Sequence, residues 1–205
     1  MGKTIVLLLA LLAATATAVS AAGRPNSVTI ALSRPAVVYG GTVTLSGTVS
    51  SHKPGEHVTI MAEASGASSF SALTTVDTGN GGKWSYVVKP AIQTSYQAKW
   101  KSATSQVVRE NVRPLVTLKL ENIATRTFST TATAARAFTG KFVLVQRLTT
   151  TGPQTLKKLV LNASSSATFH VRLHPGRNRL RVVMPTSQAA PGYISGASKV
   201  LSVRR

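Results

Sequence analysis

The chain contains no cysteine. That absence excludes disulfides, thiol nucleophiles, cysteine-ligated metals and a lipid on an N-terminal cysteine, so any folded part must be held by its apolar core. Carboxylates are almost as scarce, with 5 Asp and Glu against 24 Lys and Arg, and none follows Glu121. A hydrolytic triad needs a carboxylate to orient its base, and a glycosidase needs two carboxylates about 5 to 10 Å apart. The spacing of Glu56, Glu63, Asp77 and Glu110 imposes no such pair, and the C-terminal half has histidines without acids beyond Glu121. The sequence is therefore read as non-enzymatic, with no catalytic residue, no cofactor and no metal site. Aromatic residues make up only 5% of the chain. Helical periodicity is missing beyond the N-terminal segment, and so is any later apolar run long enough to cross a bilayer.

The N-terminal segment is a different matter. Met1-Gly-Lys-Thr4 carries one cation, Ile5 to Ala14 is apolar, and small residues continue through Ala22. This is the order of a secretory signal, with cleavage expected after Ala21 or Ala22. The apolar core is short for a membrane anchor of about 20 residues, which favours removal. Residues 1–22 are thus assigned as a signal peptide, and an exported product is expected. The C-terminal Val203-Arg204-Arg205 shows no sorting motif, so covalent surface anchoring is not expected.

Beyond the leader the chain says nearly the same thing twice, roughly 84 residues apart. Phe128 answers Val43, Phe142 answers Val58, Phe169 answers Tyr86, Pro175 answers Pro90, Leu180 answers Tyr96 and Met184 answers Trp100. A repeat of that length is a whole small domain. Strands are expected over 28–33, 42–49, 57–63, 69–75, 83–88, 95–100 and 106–111, and again over 115–121, 127–134, 141–148, 156–161, 167–173, 178–184 and 199–203. Val43, Leu45, Gly47 and Val49 share one face of their strand while Thr42, Thr44, Ser46 and Thr48 share the other. Such alternation marks antiparallel sheets with one face on a core and one in water. The fold class is all-β: two tandem immunoglobulin-like antiparallel β-sandwiches, over residues 23–113 and 114–205. Pro114 keeps the link short, and a semi-rigid rod is expected.

Four motifs carry a resemblance: Val43-Thr-Leu-Ser-Gly47, Gly55-Glu-His-Val58, Gly81-Gly-Lys-Trp84 and Thr94-Ser-Tyr96-Gln-Ala98. Together they resemble the bacterial Ig-like modules found in tandem in secreted and surface proteins. That resemblance implies a spacer, adhesion or accessory-binding role and carries no catalytic residues over. Tyr96 would also serve as a tyrosine corner, its hydroxyl turned back to a loop backbone, whereas Leu180 in the second unit cannot.

Candidate chemistry is sparse. Asp77-Thr-Gly-Asn-Gly-Gly82 lacks the distal Glu of a calcium loop and is read as a tight hairpin turn. His170 and His174, about 13 Å apart along a strand, are too distant to share one zinc. His52 and His57 flank one loop and could approach each other. Trp84, Trp100 and Tyr193 could stack on sugars, but packing is favoured. Asn162-Ala-Ser164 is a glycosylation sequon.

Charge is the stronger signal. Residues 23–114 carry 9 basic and 4 acidic side chains, and residues 115–205 carry 14 and 1. A surface so basic adheres to polyanions. Arg172, Arg177, Arg179 and Arg181 are the candidate polyanion contacts; Arg172 falls on the opposite sheet from the other three, so the cations wrap the second unit. A specific nucleic-acid site, which needs a focused stripe with stacking aromatics, is not expected. An insertion of about nine residues between Met184 and Lys199, containing Gln188 and Tyr193, is the candidate binding loop. The reading is an exported structural, adhesive or binding module whose partner is an anionic envelope polymer or a surface protein. Two alternatives are a carbohydrate-binding accessory module and a two-domain periplasmic chaperone that binds by β-augmentation.

Overall fold

Short Val- and Thr-rich segments bounded by Gly, Pro and Ser become strands because β-branched side chains fit a pleated, half-buried surface. The computed structural model describes residues 25–205, and the leader expected at residues 1–22 lies outside them. The N-terminal half runs β1 (Ala31–Leu32), β2 (Ala36–Val38), β3 (Val43–Thr48), β4 (His57–Ala64), β5 (Ser71–Asp77), β6 (Lys83–Val88), β7 (Thr94–Trp100), β8 (Ala103–Thr104) and β9 (Val108–Arg113). The C-terminal half runs β10 (Leu115–Asn122), β11 (Thr127–Thr133), β12 (Phe142–Thr149), β13 (Gly152–Val160), β14 (Ser166–His170), β15 (Arg177–Met184), a single helical turn α1 (Thr186–Ala189), β16 (Gly196–Ala197) and β17 (Leu201–Arg204).

Each half is a pair of sheets. In the first, β1-β3-β6 faces β2-β9-β7-β4-β5, with β8 folded back on β7. In the second, β10-β11-β14 faces β13-β12-β15-β16, with β17 also on β15. A three-stranded sheet thus opposes a larger one twice in the same chain order, which is the immunoglobulin-like sandwich. The cores lie between the sheets: Leu45, Val58, Ile60 and Ala98 are fully buried in one, and Phe128, Val143, Val145 and Leu180 in the other. Phe128 and Phe169 stack at 5.7 Å between centroids.

The structure corrects several local expectations. Pro35 interrupts the first strand, so the chain leaves β1, which is antiparallel to β3, and rejoins the opposite sheet as β2, parallel to β9. The 77–82 turn is no hairpin, because β5 and β6 belong to different sheets; Gly81 and Gly82 take positive φ in a crossover between them. Gly47 is fixed by contact, since a Cβ there would lie 1.9 Å from the Thr29 carbonyl oxygen. The repeat also slips by a residue. Ile60 pairs with Ala98 as Val145 pairs with Val182, so Val143 rather than Phe142 occupies the place of Val58.

That register explains the missing tyrosine corner. Ala62 stands opposite Tyr96 in the first half, and Arg147 stands opposite Leu180 in the second. Tyr96 is buried, and burial raises its phenol pKa, offset in part by the nearby Thr94 hydroxyl. Thr94 itself donates to the Ile92 carbonyl at 2.8 Å, in the loop before β7. In the second half the long side chain has moved to the neighbouring strand. Arg147, opposite Leu180, donates from its Nη2 to the Arg172 carbonyl at 2.6 Å. One guanidinium thereby clamps the loop between β14 and β15.

A buried acid sits in the first core. Glu110 is 0% exposed, and neither carboxylate oxygen has a hydrogen-bond partner among the described residues. Burial pushes its pKa up to about 7, against a weaker opposing pull from the Arg34 charge. Tyr96 also faces it, and the carboxylate's charge adds to the rise of the phenol pKa. The unfolded chain ionises this acid near 4.5, so the stability linked to its neutral form is fully present below that pH and is lost as pH rises through about 7. The loss corresponds to roughly 3 kcal/mol at 1.36 kcal/mol per pKa unit. Glu110→Gln is predicted to flatten the slope of denaturant stability between pH 5 and 8; a variant with the wild-type slope would refute this assignment.

Candidate binding surfaces

The inserted loop between Met184 and Lys199 does not project into solvent; residues 190–195 lie against the first sandwich. The Gln93 amide donates to the Gly192 carbonyl at 2.9 Å, the Ile194 amide donates to the Val112 carbonyl at 3.0 Å, and Arg113 Nη1 donates to the Ser195 carbonyl at 2.6 Å. Tyr193 is 2% exposed. Its hydroxyl donates to the Ala91 carbonyl at 2.8 Å and accepts the Ala135 amide at 3.1 Å, so one phenol bonds both halves. Phe138 meets its ring edge-on at 5.9 Å, and Arg136 lies over both rings while donating to the Ala189 and Ala190 carbonyls. Gln188 is likewise occupied, accepting the Phe142 amide at 3.2 Å. Tyr193 is therefore part of a strut between the sandwiches, because a Gly-Tyr loop can bring backbone and phenol together against the neighbouring half, whereas Gln188 braces its own sandwich.

The arginines divide between the two sheets. Arg177 and Arg179 are exposed on the outer face of β15, alternating with buried Asn178 and Leu180. Arg181 is half-buried and its Nε donates to Gln146 Oε1 at 2.9 Å across the sheet. Arg172 is exposed in the connection after β14, on the side of the other sheet. The structure thus does not gather the four into one groove. Lys157 and Lys158 add to the charge on edge strand β13, where Lys158 Nζ lies 4.0 Å from the Phe142 ring centroid.

The remaining candidates resolve into local structure. Asp77 pairs with His57 at 2.5 Å, while His52 turns to the Gly81 carbonyl at 3.3 Å, so the two histidines face different partners. Glu56 accepts Trp100 Nε1 at 3.0 Å and Lys101 Nζ at 3.2 Å; these bonds, the indole's first, lower its pKa. Trp84 and Trp100 are buried at 3% and 2% exposure, so neither offers a ring face to a sugar, and Tyr193 does not either. His170 ends β14 and bonds to Thr125 and Thr127, while His174 lies in the following loop. No group of three His, Cys, Asp or Glu side chains capable of holding a metal occurs among the described residues.

No protein-family profile matches the chain, and no curated protein matches it either. Among solved structures the chain is similar to a tetra-tandem repeat in the extending region of a large adhesion protein, at 15% identity over 87% of this chain and 49% of that one, with a TM-score of 0.38. It is also similar to a marsupial T cell receptor, at 10% identity over 88% of this chain and 99% of that one, with a TM-score of 0.33. The chain thus spans about half the length of the adhesion repeat. At these scores the immunoglobulin-like assignment rests on strand order and pairing.

The strut generates a test. Gly192 has φ +82°, and a Cβ there would fall 2.4 Å from Ile92 Cδ1. Gly192→Ala is predicted to strain the backbone by about 1 to 2 kcal/mol and to push the strut off the first sandwich. Limited proteolysis around residues 111–114 should then accelerate several-fold, while Tyr193→Phe, which loses about 1 kcal/mol of hydrogen bonding, should have a smaller effect. Unchanged cleavage in Gly192→Ala would mean that the strut does not shield the link.

Proposed function

We propose that this protein is a non-enzymatic, exported immunoglobulin-like module that holds to anionic polymers of a cell envelope or extracellular matrix, in a structural or adhesive role. The observation that carries the reading is the unbalanced charge of the second sandwich. Residues 115–205 hold one carboxylate side chain, Glu121, and it already accepts the Ser129 hydroxyl. Exposed Arg177, Arg179, Lys157, Lys158 and Arg172 are therefore left without intramolecular counter-charges in their own half. A potential of one sign over a whole domain draws flexible polyanions from several directions, which suits an extended polymer better than a shaped ligand.

The strut supports the same role. Two sandwiches joined by backbone hydrogen bonds and a buried tyrosine present their surfaces in a fixed relation, as a spacer or adhesive unit requires. The sugar-stacking alternative loses its three aromatic candidates to burial. The strand-addition alternative meets Lys157 and Lys158 on edge β13, where lysines discourage a further strand. No helix among the described residues is long and apolar enough to cross a membrane.

The test is retention of the purified protein on a dextran sulfate resin, with neutral dextran as control. Retention is expected at 0.15 M salt, where the Debye length is about 8 Å, and release before 1 M, where it is about 3 Å. Replacing Arg177 and Arg179 by Glu should move elution to distinctly lower salt. Equal retention on neutral dextran, or retention that salt does not weaken, would overturn the proposal.

A further inference from the structure

We propose that the cleft between the edge strands β13 and β14 is a specific pocket for a tetrahedral oxyanion group, a phosphate or sulfate ester, with Arg147 as its buried anchor. The inference rests on the polyanion reading above and deepens it from diffuse attraction to a built site. The cleft has a volume of about 340 Å³, and Arg147, Gln154, Lys157, His170, Arg172 and His174 contribute to its lining. Among the described residues no carboxylate lines it.

Arg147 is the unusual member. Strand β12 sends Val143, Val145 and Arg147 to the core face, and the third of these is a guanidinium that is 9% exposed. Its Nη2 is satisfied by the Arg172 carbonyl, which accounts for its service as a clamp on the loop. Its Nε is buried and has no acceptor among the described residues. A neutral carbonyl satisfies one N–H and leaves the charge uncompensated, and a buried unpaired charge is strongly unfavourable unless a counter-charge is supplied. No carboxylate of this half can supply it in place, since Glu121 is on β10, engaged by Ser129 and absent from the cleft.

The chemistry of the lining indicates what would complete the site. Guanidinium presents a planar fork of donors that matches the oxygens of phosphate and sulfate, and its weak hydration suits it to a desolvated position. Lys157 and Arg172 at the rim are exposed cations, and Gln154 adds a neutral donor and acceptor. The arrangement is a buried charged anchor with exposed cations at the mouth. The first sandwich has no counterpart, because Ala62 holds the place of Arg147. A clamp alone would explain the bond to Arg172, but it would require neither the cations at the mouth nor an orphaned Nε.

Titration of the full chain with inorganic phosphate, followed by calorimetry and by thermal shift against sodium chloride of equal ionic strength, tests the proposal. Phosphate should bind saturably with one site and raise the melting temperature beyond the chloride control. Arg147→Met should weaken phosphate at least tenfold. Because that variant also loses the loop clamp, the double variant Lys157→Gln/Arg172→Gln is the companion; it keeps the core and the Arg172 carbonyl and should weaken phosphate about three- to tenfold. Sulfate binding as well as phosphate would identify a general oxyanion pocket, as sulfated polysaccharides need, and phosphate alone would point to phosphate polymers. A protein held by dextran sulfate but showing no saturable phosphate or sulfate binding would overturn the pocket and leave the polyanion reading standing. If binding were saturable but indifferent to both sets of substitutions, the site would lie elsewhere and the assignment to Arg147 would fail.

Discussion

The contact of Tyr193 with both sandwiches is the constraint on which the rest of the architecture hangs. A single phenol, buried beside Phe138 and Arg136, donates to Ala91 in one half and accepts from Ala135 in the other. Around it, amide–carbonyl bonds from Gln93 and Ile194 align the loop with the first sandwich almost as an added strand would. Gly192 permits that approach because it has no Cβ to collide with Ile92. The link of Arg113 and Pro114 thus acts as a supported joint, its arginine itself bonded to the Ser195 carbonyl.

The second sandwich departs from the first at corresponding positions of the core. Ala62 and Tyr96 face each other in the first sandwich where Arg147 and Leu180 do so in the second, which puts a charged clamp where the first has a buried phenol. The loss of carboxylates in the same half means that this charge and the surface arginines have no partners within it beyond Glu121. The two sandwiches consequently carry opposite kinds of buried ionisable group: a carboxyl without a hydrogen-bond partner in the first, Glu110, and a guanidinium with an unpaired Nε in the second, Arg147. The acid can relieve its burial by taking a proton near neutral pH, whereas guanidinium cannot release one.

Much of this was legible in the residues. Alternation through Val43, Leu45 and Gly47 and through Leu180, Val182 and Met184 announced half-buried strands, and their number announced the sandwich. Arg147 also left a trace, as a cation where Val143 and Val145 set the inward phase, but a single charge at a strand end reads equally well as an exit to solvent. Strand β2 was not visible, since three residues after Pro35 form a strand only by pairing with β9, more than seventy residues away. The Gly-Tyr loop was visible as an insertion, yet an exposed loop and a strut have the same composition.

The sequence by itself determined the all-β class, the repeated strand pattern and the excess of positive charge, because each depends on local periodicity or on composition. Tertiary structure alone decided that Tyr193 joins the halves, that Trp84 and Trp100 are closed to ligands, and that Arg147 lies buried with a donor unpaired. Those facts depend on which distant backbone or side chain arrives beside each residue, and that is settled by sheet register and by the docking of one sandwich on the other.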